Sequence, residues 1–160
     1  MVEKMQQLRV YADTSVFGGM FDPEFAEASD AFFSQIRSGR FNLVTSAVVQ
    51  EEPTTAPVEV QAFFSDMLDL ADIADVTEAA LELQEAYLDG GIVTPRWAAD
   101  ALHVALATVA QCTLIVSWNF KHIVHYQKIP LYNAVNTLQG YQNISIYSPR
   151  EVIAYEDEDT

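Results

Sequence analysis

One stretch near the N-terminus constrains this chain more than any other. Arg9-Val10-Tyr11-Ala12-Asp13-Thr14-Ser15-Val16-Phe17 is an apolar run that ends abruptly in an acid and two hydroxyls, with Gly18 and Gly19 just beyond. It reads as a buried strand that delivers one carboxylate to its C-terminal end. In open parallel α/β sheets, ligands bind just outside that end, where the strand order reverses. Three other segments carry polar side chains that such a sheet could bring to Asp13. They are Ser46-Ala47-Val48-Val49-Gln50-Glu51, Ala98-Ala99-Asp100-Ala101-Leu102-His103 and Val116-Ser117-Trp118-Asn119-Phe120.

The remainder of the chain alternates strand and helix signals. A loop with Gly18, Gly19 and Pro23 follows Asp13, and a helix is expected over residues 24–38, ended by Gly39. Residues 41–45 read as a second strand, and Ser46 as the cap of a short helix that Pro53 stops. Pro57 opens a further helix, residues 73–76 form a short strand, and Thr77 caps a helix over 78–88. Thr94-Pro95 starts an alanine-rich helix that runs to about residue 110. Leu114-Ile115-Val116 is continuously apolar, as in a strand covered on both faces. A short helix over 120–126, a helix from Pro130 to about residue 138 and a strand over 144–147 follow. Ser148-Pro149-Arg150-Glu151 has the form of a capping box. This alternation points to an α/β fold, a parallel sheet between helical layers. One domain over residues 1–152 accounts for it, with 153–160 as an acidic tail.

Charge narrows the choice of partner. The net charge is −15, with only eight Lys and Arg, which argues against a broad nucleic-acid-binding surface. No apolar run approaches the ~18 residues of a membrane span. Residues 1–7 are polar and lack the apolar core of a signal peptide, and the single Cys112 can form no internal disulfide. A buried thiol in a cytoplasmic protein is the expectation.

Strand ends and helix starts place the polar residues. Asp13 ends the first strand, Asn119 lies just past the strand 114–116, Asp100 sits early in the Thr94 helix, and Glu51 ends the helix after the second strand. If the first and fourth strands are neighbours, all four converge in one cleft. Three carboxylates there repel one another unless protonated or neutralised by a cation. Mg²⁺ or Mn²⁺ suits such oxygen donors. A metal so held can activate a water and balance charge on a phosphate.

These segments resemble the four motifs of the PIN-domain family, including its VapC-like toxin ribonucleases. Tyr-Ala-Asp-Thr-Ser-Val-Phe-Gly-Gly resembles the first motif through Asp13. Ser-Ala-Val-Val-Gln-Glu resembles the second through Glu51, Ala-Asp-Ala-Leu-His-Val-Ala-Leu-Ala the third through Asp100, and Val-Ser-Trp-Asn-Phe-Lys-His-Ile the fourth. The resemblance runs from about Val10 to Val152. It implies a three-layer α/β/α fold with a mostly parallel central sheet, and Mg²⁺- or Mn²⁺-dependent endoribonuclease activity. It also implies an RNA substrate, a toxin role neutralised by an antitoxin protein, and a homodimer. Many members carry an aspartate where this chain has Asn119. Asp13, Glu51 and Asp100 are then the expected metal ligands, with Asn119 and Ser117 supporting the metal or its waters, and Thr14 and Ser15 donating from behind.

Other polar residues have two readings each. His103 lies one helical turn after Asp100 and could act as a base, but Leu102, Val104 and Leu106 favour a packed core histidine. Arg96, Lys121 and His122 are candidates for holding an RNA phosphate, or are plain surface charges. Trp97 and Trp118 could stack a base, or Trp118 could cover the sheet. A haloacid-dehalogenase-type phosphatase needs a second acid two residues after the first, where this chain has Ser15. A receiver domain needs an acidic pair that is missing near Asp13. The stronger alternative is a catalytically degenerate PIN domain that binds protein or RNA, given Asn119 and the few basic residues.

Overall fold

The computed structural model describes residues 7–51 and 57–154, with Glu51 by its backbone alone. Five strands are present among the described residues: β1 (Leu8–Ala12), β2 (Phe41–Ser46), β3 (Asp72–Ala74), β4 (Leu114–Val116) and β5 (Ser145–Tyr147). They form one sheet in the order β3-β2-β1-β4-β5, and every neighbouring pair is parallel. Parallel neighbours require crossover connections, so helices cover both faces. The first helical layer contains α1 (Thr14–Gly19), α2 (Ala26–Arg37), α3 (Ala47–Glu51), α4 (Val58–Leu68) and α8 (Pro149–Val152). The second contains α5 (Glu78–Asp89), α6 (Ala98–Val109) and α7 (Ile129–Leu138). This is the expected three-layer α/β/α architecture.

Side-chain alternation along the strands feeds two cores. Val10, Ala12, Leu114 and Val116 join Phe17, Phe32, Phe33, Phe64 and Met67 on the first face. Tyr11 and Ile115 join Leu83, Tyr87, Val104, Leu106 and Tyr132 on the second. The first core is dense in aromatic pairs, with Phe17 4.6 Å from Phe64 and 5.1 Å from Phe33 between ring centroids. Such pairs contribute ~0.5–1.5 kcal/mol each beyond their area. Among the described residues no helix is long and apolar enough to cross a membrane.

Most element ends follow the local chemistry. Thr77 Oγ1 accepts from Ala80 N–H at 3.1 Å and starts α5, and Ser148 and Glu151 form the capping box of α8. Gly39 ends α2 at φ +89°, a conformation that suits glycine.

Four expectations are corrected. Residues 14–19 form α1 instead of a loop, because Val16 and Phe17 are buried against the first core despite the two glycines. Gly19 is there for space: a Cβ would lie 2.5 Å from Ser29 Oγ and 2.7 Å from Trp118 Nε1. The Thr94 helix begins as a single 3₁₀ turn, Pro95–Trp97, and becomes α-helical only at Ala98. Residues 120–126 are a series of turns instead of a helix. Asn119 caps a single turn, its side-chain oxygen taking the N–H groups of Lys121 and His122 and its backbone oxygen those of Ile123 and Val124, and the next backbone bonds start afresh from His125. The third strand is Asp72–Ala74, so Asp75 and Val76 fall outside it. The breaker Pro53 and the tail beyond Ala154 lie outside the described residues.

Candidate functional site

Asp13 stands one residue beyond β1, the central strand, where chain connections leave on opposite faces of the sheet. After β1 the chain turns into α1 on the first face, and after β4 it crosses to α7 on the second. Asp13 is 3 % exposed. Ser15 Oγ donates to its Oδ1 at 2.5 Å and Ser117 Oγ to its Oδ2 at 2.6 Å. The two hydroxyls are 3.3 Å apart, and Ser15 Oγ also accepts from the Trp118 N–H at 2.8 Å. Ser117 reaches Asp13 because β4 pairs with β1 in register, Val116 opposite Ala12. Burial raises the Asp13 carboxyl above its ordinary value of 3.8. The charge of His103 and the bonds from Ser117, Ser15 and the Val16 N–H pull the other way without cancelling it. An ionised Asp13 thus weakens the fold unless a positive charge joins it.

The second face brings α6 over this carboxylate. Tyr11 and Asp13 are two residues apart and face the same side of the sheet. Tyr11 Oη lies 2.8 Å from Ser46 Oγ and 2.8 Å from His103 Nδ1, so His103 is a buried core histidine bonded to β1. Arg9 reaches the carbonyl of Ala110 at the other end of the same helix. Progress from Arg9 to Tyr11 along β1 therefore runs backward along α6, from Ala110 to His103. One turn further back stands Asp100, ~4.5 Å along the helix axis. Asp13 lies ~6.7 Å further along the strand. The acid in the first turn of α6 and the acid at the end of β1 are thereby carried to the same edge of the sheet.

Asp100 is held from one side. Its Oδ2 lies 2.8 Å from His122 Nδ1. An ionised carboxylate only accepts, so Nδ1 carries the hydrogen. Its other oxygen has no partner among the described residues. His122 is buried, with its ring 4.6 Å from Trp97 between centroids. It is therefore not the surface charge that the sequence suggests. Asn119 Oδ1 accepts the backbone N–H groups of His122 at 2.9 Å and Lys121 at 3.2 Å, and Asn119 N–H donates to Ser117 Oγ at 2.9 Å. The amide oxygen expected near a metal is thus committed to the turn that carries His122.

The other candidates divide. Ser15 and Ser117 both donate to Asp13, and Thr14 opens α1. Trp118 is buried, stacks on Phe25 at 4.2 Å and donates Nε1–H to Ser29, so it covers the sheet instead of offering a platform. Arg96 and Lys121 are exposed, and both cations lie over the Trp97 ring, at 5.0 and 5.2 Å. The Glu51 side chain lies outside the described residues, although α3 starts directly from Ser46 at the same sheet edge. Among the described residues no three acids, histidines or cysteines cluster as a metal site. Asp13 and Asp100 themselves offer carboxylate oxygens, which suit a hard cation, and the desolvated Asp13 is the group such a cation would relieve.

Sequence reasoning names His122 as a phosphate-holding candidate but misses its bond to Asp100. Its pairing with Asp100 spans 22 residues and crosses from a helix to a turn, so no local pattern announces it. A scan of protein-family models and a search of curated proteins each give no match to the chain.

Proposed function

We propose that this chain is a metal-dependent endoribonuclease, with Asp13, Glu51 and Asp100 as ligands of Mg²⁺ or Mn²⁺. The observation that carries the reading is Asp13: a buried carboxylate at the end of the central strand, each of its oxygens bonded by a serine hydroxyl, its pKa raised by burial despite those bonds, the Val16 N–H and the charge of His103. A bound divalent cation would supply a water of lowered pKa and balance charge on the phosphate. The chain's own residues do the positioning. Ser15 and Ser117 fix both Asp13 oxygens, and His122 occupies one Asp100 oxygen and leaves the other for the cleft. RNA as substrate, a toxin role with an antitoxin partner and a homodimer rest on the likeness of the four motifs, and a cytoplasmic location on the polar residues 1–7 and the single cysteine.

Calorimetric titration with Mn²⁺, alongside cleavage of a panel of transfer and messenger RNAs, tests the reading. The wild type should bind Mn²⁺ and cleave, and Asp13→Asn should do neither while keeping its fold. Equal binding and cleavage by both proteins would remove Asp13 from the site. A second reading, a protein- or RNA-binding module without catalysis, is favoured by Asn119, whose amide oxygen is committed to the turn that carries His122. A wild type that takes up no Mn²⁺ would select it.

A further inference from the structure

His122 is fixed on every side, although it lies in a segment with no helix or strand. Asn119 Oδ1 holds its N–H at 2.9 Å, and Tyr132 Oη donates to its carbonyl at 2.8 Å. Trp97 covers its ring, and its Nδ1 meets Asp100 at 2.8 Å. Tyr132 is itself fully buried on α7, its ring 4.9 Å from that of Tyr87. A surface turn that merely connected β4 to α7 would need none of this.

We propose that His122 is a positioning residue that sets which Asp100 oxygen faces the cleft, and that Asn119 acts through His122, as the cap of its turn, and not as a metal ligand. This rests on the metal-site reading above. The chain of contacts runs from Asn119 Oδ1 to the His122 backbone, and from the His122 ring to Asp100 Oδ2. Each link is a hydrogen bond of 2.8–2.9 Å. With Oδ2 occupied, Asp100 presents Oδ1 alone, in one orientation. Groups that orient a ligand in this way typically change metal affinity 10–100-fold when removed. The assignment also explains why an amide suffices at position 119: a turn cap needs an acceptor oxygen, not a charge.

Mn²⁺ titration of a small variant set separates the possibilities. H122A should weaken Mn²⁺ binding about tenfold or more. H122N should restore most of it, because its amide nitrogen stands where Nδ1 does. H122Q should not, because its nitrogen stands where Nε2 does; this contrast keeps the test alive if H122A fails to fold. N119A should weaken binding as H122A does, and N119D should match the wild type, since a carboxylate accepts the same two N–H groups. Wild-type affinity in H122Q or H122A, or a tenfold gain in N119D, would overturn the proposal. Wild-type affinity in D13N would instead defeat the metal-site reading on which it rests.

Discussion

Replacing Ser117 by alanine isolates the energetics of the Asp13 cradle. The hydroxyl is completely buried, donates to Asp13 Oδ2 at 2.6 Å and accepts from Asn119 N–H at 2.9 Å. A hydrogen bond to a charged group contributes about 1.5–3 kcal/mol. In a domain of this size 1 kcal/mol corresponds to about 2–4 °C in Tm, so Ser117→Ala should melt about 3–12 °C below the wild type near neutral pH in chelator. The sign of the pH dependence follows from Asp13. Its folded-state pKa is raised above 3.8 by burial, so its ionised form burdens the native state above that raised pKa, and the burden lifts as pH falls through it. Ser117 favours the ionised form, so losing it raises the folded pKa further. The deficit of the variant is therefore full above the raised folded-state pKa and shrinks as pH falls through it. Differential scanning calorimetry of both proteins over a descending pH series measures this. A deficit that stays constant with pH, or no deficit at all, would refute the idea that Ser117 serves an ionised Asp13.

Three further outcomes are expected. Asp13→Asn should raise the Tm in chelator at neutral pH, since it removes a desolvated charge while both serine hydroxyls can rotate to pair with an amide; a lower Tm would mean that the charge has a compensating partner. Gly19→Ala should destabilise by about 1–3 kcal/mol, the usual range for overpacking, because its Cβ would press on Ser29 and Trp118, and an unchanged urea midpoint would contradict that packing. Cys112, whose thiol burial pushes up to about 12, should resist a thiol reagent in the native protein and react once urea unfolds it; rapid native labelling would argue against its burial.

The layers of this fold were legible because they are written locally. The unbroken apolar run of β4 announces a strand covered on both faces, and Thr77 and the Ser148–Glu151 box announce helix starts by chemistry that acts over three residues. The errors arise where a distant contact overrules a local signal. Gly18 and Gly19 read as a loop, yet burial of Val16 and Phe17 makes a helix there, and Gly19 answers to Trp118, far along the chain. Residues 120–126 read as a helix, but Asn119 and Tyr132 claim their backbone groups. The site divides in the same way. Asp13 and its serines could be named from strand ends, whereas the bond between His122 and Asp100 depends on how α6 lies beside the turn after β4.

The span of the Asp13 cradle bears on the order in which the chain becomes competent. Asp13 and Ser117 are separated by 104 residues, and β1 sits between β2, which follows it early, and β4, which arrives late. A chain growing from its N-terminus can pair β1 with β2 and β2 with β3 and fill the first core in part, while one flank of β1 still awaits its neighbour. Closing a connection of that length is slow compared with local pairing. During synthesis the acid is therefore made first and its second hydroxyl donor long afterwards, so the nascent molecule carries an unfinished site until most of its length has emerged.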